Sequence, residues 1–396
     1  MKNVLILNPY ISTLGGGEKT MGYFCKSLEE YYNYDVIIDI LVFNTYGVDV
    51  FAEGYIEIED LNKQFGLKLK RTRIKKIDIP FSKNRMEAFK NKLEIEKVSR
   101  GYDIFVNFMF LSKHIGHAKK NIYQCFFPPK RYAKEWQGKG RIIGILYDFL
   151  FYRSYNVCIS DSKFANHWLT TYWKPHKKNI VIYPPVFSEK EMEGRYIESE
   201  KKNIIISVGR FFVGSHSKKQ LDMAKFFIHN SDKLAAYEYH IVGAVSEREE
   251  DREYLRKVEE VAKQSENIKI HVNCKYEELI ALYRAAKIFW HATGFGIDEN
   301  REPEKTEHFG ITTVEAMSFG AVPVVINKGG QRETVEEGVN GYRWDDEKDC
   351  IEKTYKLIED DDLRRRMAEE SVRRAKGYST EEYDRLNREV FHGLKI

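Results

Sequence analysis

Long apolar runs are missing from this 396-residue chain, and no stretch approaches the roughly 20 consecutive apolar residues of a bilayer-spanning helix, so an integral membrane protein is not expected. The opening residues, Met1-Lys2-Asn3-Val4-Leu5-Ile6-Leu7, run straight into a strand pattern. They lack the longer apolar core and small-residue cleavage site of a secretory signal, so export by that route is not expected either. Cysteine is scarce: Cys25, Cys125, Cys158, Cys274 and Cys350 are an odd number with no C-x-x-C spacing. This argues against a disulfide framework or a structural zinc and fits a reducing, cytoplasmic setting. Neither a G-x-G-x-x-G fingerprint nor a P-loop occurs. The acidic run Asp360-Asp361-Asp362 opens a helical pattern and reads as an N-terminal cap rather than a Mg²⁺ site, so no metal is expected.

What is present is charge, unevenly spread. The net charge of +4 divides into 30 Lys+Arg against 19 Asp+Glu for residues 1–190 and 34 against 41 for residues 191–396. Most of the excess lies between Lys63 and Arg141, interleaved with Phe65, Phe81, Phe89, Phe126, Phe127, Tyr132 and Trp136. Such a surface suits anionic lipid, an anionic acceptor or nucleic acid, or is a plain solvated face. The apolar segment Arg141–Arg153 that follows is either a buried core helix, the more frequent case, or a membrane-contacting one.

Short β-rich apolar runs alternate with helical patterns along the whole chain, the signature of parallel sheets covered by helices on both faces. Strands are predicted near residues 3–7, 36–43, 103–108, 121–126 and 156–159. After the polar stretch Ser188–Lys202 the pattern restarts, near 204–208, 239–242, 268–271, 288–291 and 322–326. Tyr183-Pro184-Pro185-Val186 ends the first series, because neither proline can donate to a ladder. An α/β chain of two Rossmann-like domains is predicted, residues 1–187 and 188–378, with a C-terminal helix over 379–396 that is expected to cross back to the first domain.

The strongest local signal is Glu307-His308-Phe309-Gly310-Ile311-Thr312-Thr313-Val314-Glu315, leading through a small-residue turn into Val322-Pro323-Val324-Val325. Gly310 permits close backbone approach, and the amides of Phe309–Thr312 at a helix start form an anion site suited to a diphosphate. Two carboxylates on either side suit the vicinal hydroxyls of a sugar and a ribose. Upstream, a strand runs into Gly209-Arg210, followed by Lys218-Lys219-Gln220; a guanidinium and an ammonium there would neutralise a diphosphate leaving group. Leu14-Gly15-Gly16-Gly17-Glu18 directly follows the first strand and opens a helix, which is either a tight turn or a close-approach loop.

Residues 307–325 resemble the E-x7-E motif of family-4 retaining glycosyltransferases, and Gly329-Gly330-Gln331-Arg332-Glu333-Thr334-Val335 through Gly338-Val339-Asn340-Gly341 is similar to the same family's "GG..E.V..G.NG" segment. The resemblance implies the two-domain GT-B architecture, with the domains facing a cleft. It implies that Glu307 contacts the donor sugar and Glu315 the ribose, and that Arg210 with Lys219, or Lys218 in its place, holds the diphosphate. His308, Phe309, Gly310, Ile311 and Thr312 line the donor, with Gly16 and Gly17 closing over its phosphates from the other domain. The implied reaction is retaining transfer of a hexose, mannose favoured, from a GDP- or UDP-linked donor to a glycan or lipid-linked acceptor. It needs no metal or further cofactor, takes no nucleic acid as partner, and runs in the cytoplasm or peripherally on an anionic membrane surface. A sugar-nucleotide epimerase, a phosphorylase or a non-catalytic basic module are the alternatives. The chain departs from the family at Tyr123-Gln124-Cys125-Phe126-Phe127-Pro128-Pro129, where a histidine is usual; His114 and His117 are the nearest substitutes in sequence. Residues Ile297–Thr306 form an insertion read as a lid or a passive surface loop, and Asn273-Cys274-Lys275 occupies the place of the base pocket.

Overall fold

A computed structural model describes every residue except 46–48, 81, 136–137 and 175–177, and leaves out the side chains of residues 85 and 139. Phe81 and Trp136 of the basic, aromatic stretch thus lie outside the described residues. The chain divides into two compact units, Met1–Pro185 together with Thr380–Ile396, and Val186–Ser379.

The first unit is a seven-stranded parallel sheet: β1 (Lys2–Leu7), β2 (Val36–Val42), β3 (Thr72–Lys76), β4 (Ile104–Asn107), β5 (Lys120–Cys125), β6 (Val157–Ser160) and β7 (Lys178–Val181), in the order β3-β2-β1-β4-β5-β6-β7. Its central strands are almost wholly buried, as near-continuous apolar runs covered on both faces should be. The two edge strands carry no such run and escaped the sequence reading. In Thr-Arg-Ile-Lys-Lys of β3, Arg73 reaches across to the buried Asp39 of β2 (2.5 Å), whose other oxygen accepts from the Tyr102 hydroxyl (2.6 Å). A cross-strand charge pair takes the place of apolar packing there. The C-terminal helix Thr380–Leu394 belongs to this unit: Phe391 packs edge-on against Phe24 (ring centroids 5.4 Å apart), and the Tyr383 hydroxyl donates to the Thr20 carbonyl (3.2 Å).

Segment 141–153 falls in helix Lys139–Ser154, and of the two alternatives the buried-core reading holds for one face only. Tyr147, Asp148, Phe151 and Tyr152 are buried, whereas Ile142, Ile143, Ile145, Leu146, Phe149 and Leu150 face solvent. The helix is apolar on both sides, and the rest of the unit covers only one of them.

The second unit holds β8 (Lys202–Val208), β9 (Glu238–Gly243), β10 (Ile268–Val272), β11 (Ala286–His291), β12 (Val322–Ile326) and β13 (Tyr342–Trp344), all parallel, in the order β10-β9-β8-β11-β12-β13. The strand order reverses between β8 and β11. Ligands of open α/β sheets bind outside the carboxyl ends of the strands at such a point. Asp360 caps helix Asp361–Ala375 by accepting from the Leu363 amide (2.8 Å), and Asp361 pairs with Arg364 (2.7 Å). The acidic run is thus engaged as a helix start.

Candidate functional site

β8 ends at Val208 and β11 at His291, so the segments that follow them meet at the reversal point of the second sheet. Glu307, in the loop before helix Ile311–Ser318, points its carboxylate into this corner with only 15 % of the side chain exposed. Its Oε2 accepts from Lys218 Nζ (2.5 Å) and from His291 Nε2 (3.0 Å), with Thr293 Oγ1 3.2 Å from the same nitrogen. Burial alone would raise the Glu307 pKa. The Lys218 ammonium and the His291 hydrogen bond outweigh it and hold the carboxyl well below its usual range. Burial lowers the His291 pKa despite the neighbouring carboxylate, so the ring is neutral and its single proton is on Nε2, facing Glu307.

The glycines around Glu307 are steric requirements. A Cβ on Gly209 would lie 2.5 Å from Lys218 Cγ, so a bare backbone there lets the lysine fold over toward the carboxylate. A Cβ on Gly329 would stand 2.1 Å from the Glu307 carbonyl and one on Gly330 2.1 Å from that of His308; the Gly330 amide donates to the Glu307 carbonyl (2.8 Å). The Gly329-Gly330 pair is therefore the floor on which Glu307 and His308 rest. Gly310 caps helix Ile311–Ser318 with φ +99°, a left-handed conformation that favours glycine, and a Cβ there would meet Gln331 Nε2 at 2.5 Å.

The expected site residues divide accordingly. Lys218, rather than Lys219, meets Glu307; Lys219 starts helix Gln220–His229 with a left-handed backbone. Arg210 is exposed just past β8, its guanidinium 5.6 Å from the Phe212 ring. Its carbonyl and that of Gly209 accept from the buried Gln220 amide (3.1 and 2.9 Å). Ile311 and Thr312 form the first turn of the helix, while Phe309 is buried against Tyr378 (ring centroids 5.2 Å). His308 is buried edge-on to His216 (4.7 Å), and burial, then the adjacent His216, holds its pKa well below the usual value. Glu315 stands on the same helix and accepts from the hydroxyl of the buried Tyr283 (3.2 Å). In the first unit, Gly16 and Gly17 open helix Gly16–Tyr31, and Glu18 holds the turn by accepting from the Gly15 amide (3.0 Å) and the Thr13 hydroxyl (2.7 Å). His114 there is buried, with Nδ1 2.9 Å from Ser112 Oγ, and burial keeps it neutral.

His291, Tyr283 and Gln331 were missed by sequence reasoning. For His291 the signal was available: it is the first polar residue after Ile288-Phe289-Trp290, at the carboxyl end of a central strand. The insertion 297–306 is pinned to its surroundings at several points. Glu299 accepts from the Gly329 amide (2.9 Å) and from Arg332 (2.7 Å), and Lys328 donates to the carbonyls of Gly294 (3.1 Å) and Ile297 (2.5 Å).

Residues 188–374 match the family model "Glycosyl transferases group 1". A GDP-Man:Man(3)GlcNAc(2)-PP-Dol alpha-1,2-mannosyltransferase of Dictyostelium discoideum is 23% identical over 209 residues, 48% of this chain and 39% of that protein. The alpha-1,3/1,6-mannosyltransferase ALG2 of the same organism is 25% identical over 256 residues, 56% of this chain and 58% of that one. The chain thus spans about two-fifths to three-fifths of the length of these curated relatives. Among solved structures, Anabaena HepE with UDP-glucose superposes with a TM-score of 0.69 at 14% identity, covering 99% of this chain and 100% of that one. Sucrose-phosphate synthase from Thermosynechococcus elongatus does so with 0.69 at 13% identity, covering 100% and 99%. These likenesses fix the fold, and Arg210, Lys218, Glu307 and Glu315 lie within the segment that matches the group 1 model.

Proposed function

We propose that the chain is a retaining glycosyltransferase that moves a hexose, mannose by preference, from a GDP-linked donor to a glycan or lipid-linked acceptor, working at a cytoplasmic, anionic membrane surface. The observation that carries this reading is Glu307, kept ionised by Lys218 and His291 at the reversal point of the second sheet, three residues before the helix start at Gly310. In this reading the donor diphosphate takes the amides at the start of helix Ile311–Ser318, with Arg210 and Lys218 supplying positive charge as it departs. Glu307 accepts from the sugar hydroxyls, and Glu315, oriented by Tyr283, accepts from the ribose. Departure of the diphosphate leaves an oxocarbenium-like sugar, which the acceptor attacks from the same face while the leaving phosphate takes its proton. Mannose is preferred because both curated relatives are named mannosyltransferases, and a GDP-linked donor and lipid-linked acceptor because one of the names reads GDP-Man:Man(3)GlcNAc(2)-PP-Dol.

The test is a donor screen by thermal shift, since a ligand that binds the folded state raises its melting temperature. GDP-mannose should shift the transition more than UDP-hexoses, and labelled mannose should pass to a lipid-linked oligosaccharide in the presence of EDTA. A strict dependence on re-added Mg²⁺ would overturn the metal-independent reading, and a shift with UDP-sugars alone would overturn the choice of nucleotide.

A further inference from the structure

Helix Lys139–Ser154 is fastened to the first unit by an aromatic face. Tyr147 packs on Phe89 (5.8 Å) and Tyr132 (5.6 Å), and Phe151 on Trp173 (4.9 Å) and Tyr123 (5.6 Å). Its outward face is therefore held out by firm packing. That face carries Ile142, Ile143, Ile145, Leu146, Phe149 and Leu150, each 46 to 71 % exposed. A helix apolar all round is ordinarily covered all round, and contiguous apolar patches on soluble surfaces mark contact sites.

The charge around this face selects the contact. Arg141 and Arg153 are exposed at its two ends, the Arg153 guanidinium 5.0 Å from the Phe149 ring, and Lys130 and Lys134 are exposed just before the helix. The acidic residues of the same stretch are engaged elsewhere. Glu135 pairs with Lys113 (2.7 Å), and the buried Asp148 accepts from the amides of Tyr132 (3.0 Å) and Ala133 (2.9 Å), with Arg131 at 3.6 Å. A second copy of the chain would bring its own arginines against these in a two-fold contact, whereas anionic headgroups complement them. At about 1.5 Å per residue the 16-residue helix is about 24 Å long, too short to cross a hydrocarbon core of about 30 Å.

We propose that this helix lies in the plane of an anionic bilayer and buries Ile142, Leu146 and Phe149, with their apolar neighbours, at the headgroup–acyl boundary, while Arg141 and Arg153 reach up to the phosphates. The proposal rests on the reading that the chain works at a membrane surface and names the element that enters it.

The experiment is co-sedimentation of the full chain with vesicles of phosphatidylcholine alone or with about one third phosphatidylglycerol. Wild type should bind the anionic vesicles, and the variant Ile142→Ser/Leu146→Ser/Phe149→Ser should lose at least about tenfold in binding with an unchanged melting temperature. In a Leu146→Trp variant, brominated acyl chains should quench the added fluorescence. If the triple variant bound anionic vesicles as well as wild type, the helix proposal would fail while the membrane-surface reading stood. Absence of wild-type binding to either vesicle would sink both. A wild-type dimer in light scattering that the triple variant dissociates would make a second copy the occupant and overturn the proposal.

Discussion

The two units share a sheet order through their first six strands, yet they differ in what stands at the point where that order reverses. In the first unit β1 and β4 lead to Asn8, the Gly15-Gly16-Gly17 turn and Asn107, and the Glu18 carboxylate beside them is taken up by Asn8, Thr13 and the Gly15 amide. In the second, β8 and β11 lead to Arg210, Lys218 and His291, of which Lys218 and His291 meet on Glu307. The first unit places its distinctive chemistry on a helix surface instead, the apolar and basic face of helix Lys139–Ser154. One fold therefore supports a charged ligand corner in one copy and an outward contact face in the other, because strand order sets where a site can be and loop residues set whether it is charged.

This contrast predicts that chemistry responds to the second unit first. Glu307→Gln should lower transfer on the order of 100-fold while nucleotide binding, read by calorimetry, stays within a few fold; loss of nucleotide binding in a folded variant would overturn the division of labour between Glu307 and Glu315. In the proposed reading Arg210→Ala would remove a charge-assisted contact of about 2–3 kcal/mol to the diphosphate, so donor affinity and turnover should fall together. Unchanged steady-state kinetics would take Arg210 out of the site.

A smaller effect sharpens the comparison within the second unit. Lys218→Met should cost about tenfold in kcat/KM and Lys219→Met about twofold or less, because only Lys218 reaches Glu307. The reverse order would restore Lys219, the residue the family resemblance implies.

The smallest effect concerns stability. Burial pushes the Lys201 ammonium down to about 7, even though its Nζ donates to the Ala286 carbonyl (2.6 Å). A base whose folded pKa is depressed binds fewer protons than the unfolded chain between about pH 7 and its ordinary value of 10.5. The cost of burying the charge is thus fully present below pH 7 and relieved as pH rises. The stability of wild type relative to Lys201→Met should climb between pH 7 and 9.5, measured by paired denaturant melts; a flat difference would show that Lys201 keeps its proton.

Much of the fold was legible because central strands such as β1, β2 and β12 are buried on both faces and read as unbroken apolar runs. β3, β7 and β13 were not, since an edge strand needs only a partner on one side and tolerates Arg, Lys and Asn. In the site, Glu307, Gly310 and Glu315 were legible because they lie within nine residues and follow local helix-start rules. Lys218 was ranked below Lys219 for want of the φ of +58° that turns Lys219 into the cap position.

By itself the sequence determined the alternation of strands and helices, the restart near residue 188, and a helix start flanked by two carboxylates, because these depend on neighbours a few residues apart. Only the tertiary structure decided that His291 and Lys218 share one oxygen of Glu307, that Gly329 and Gly330 support it, and that half of an apolar helix is left uncovered. Those facts depend on groups separated by up to 89 residues along the chain and brought together by sheet order, which no local pattern encodes.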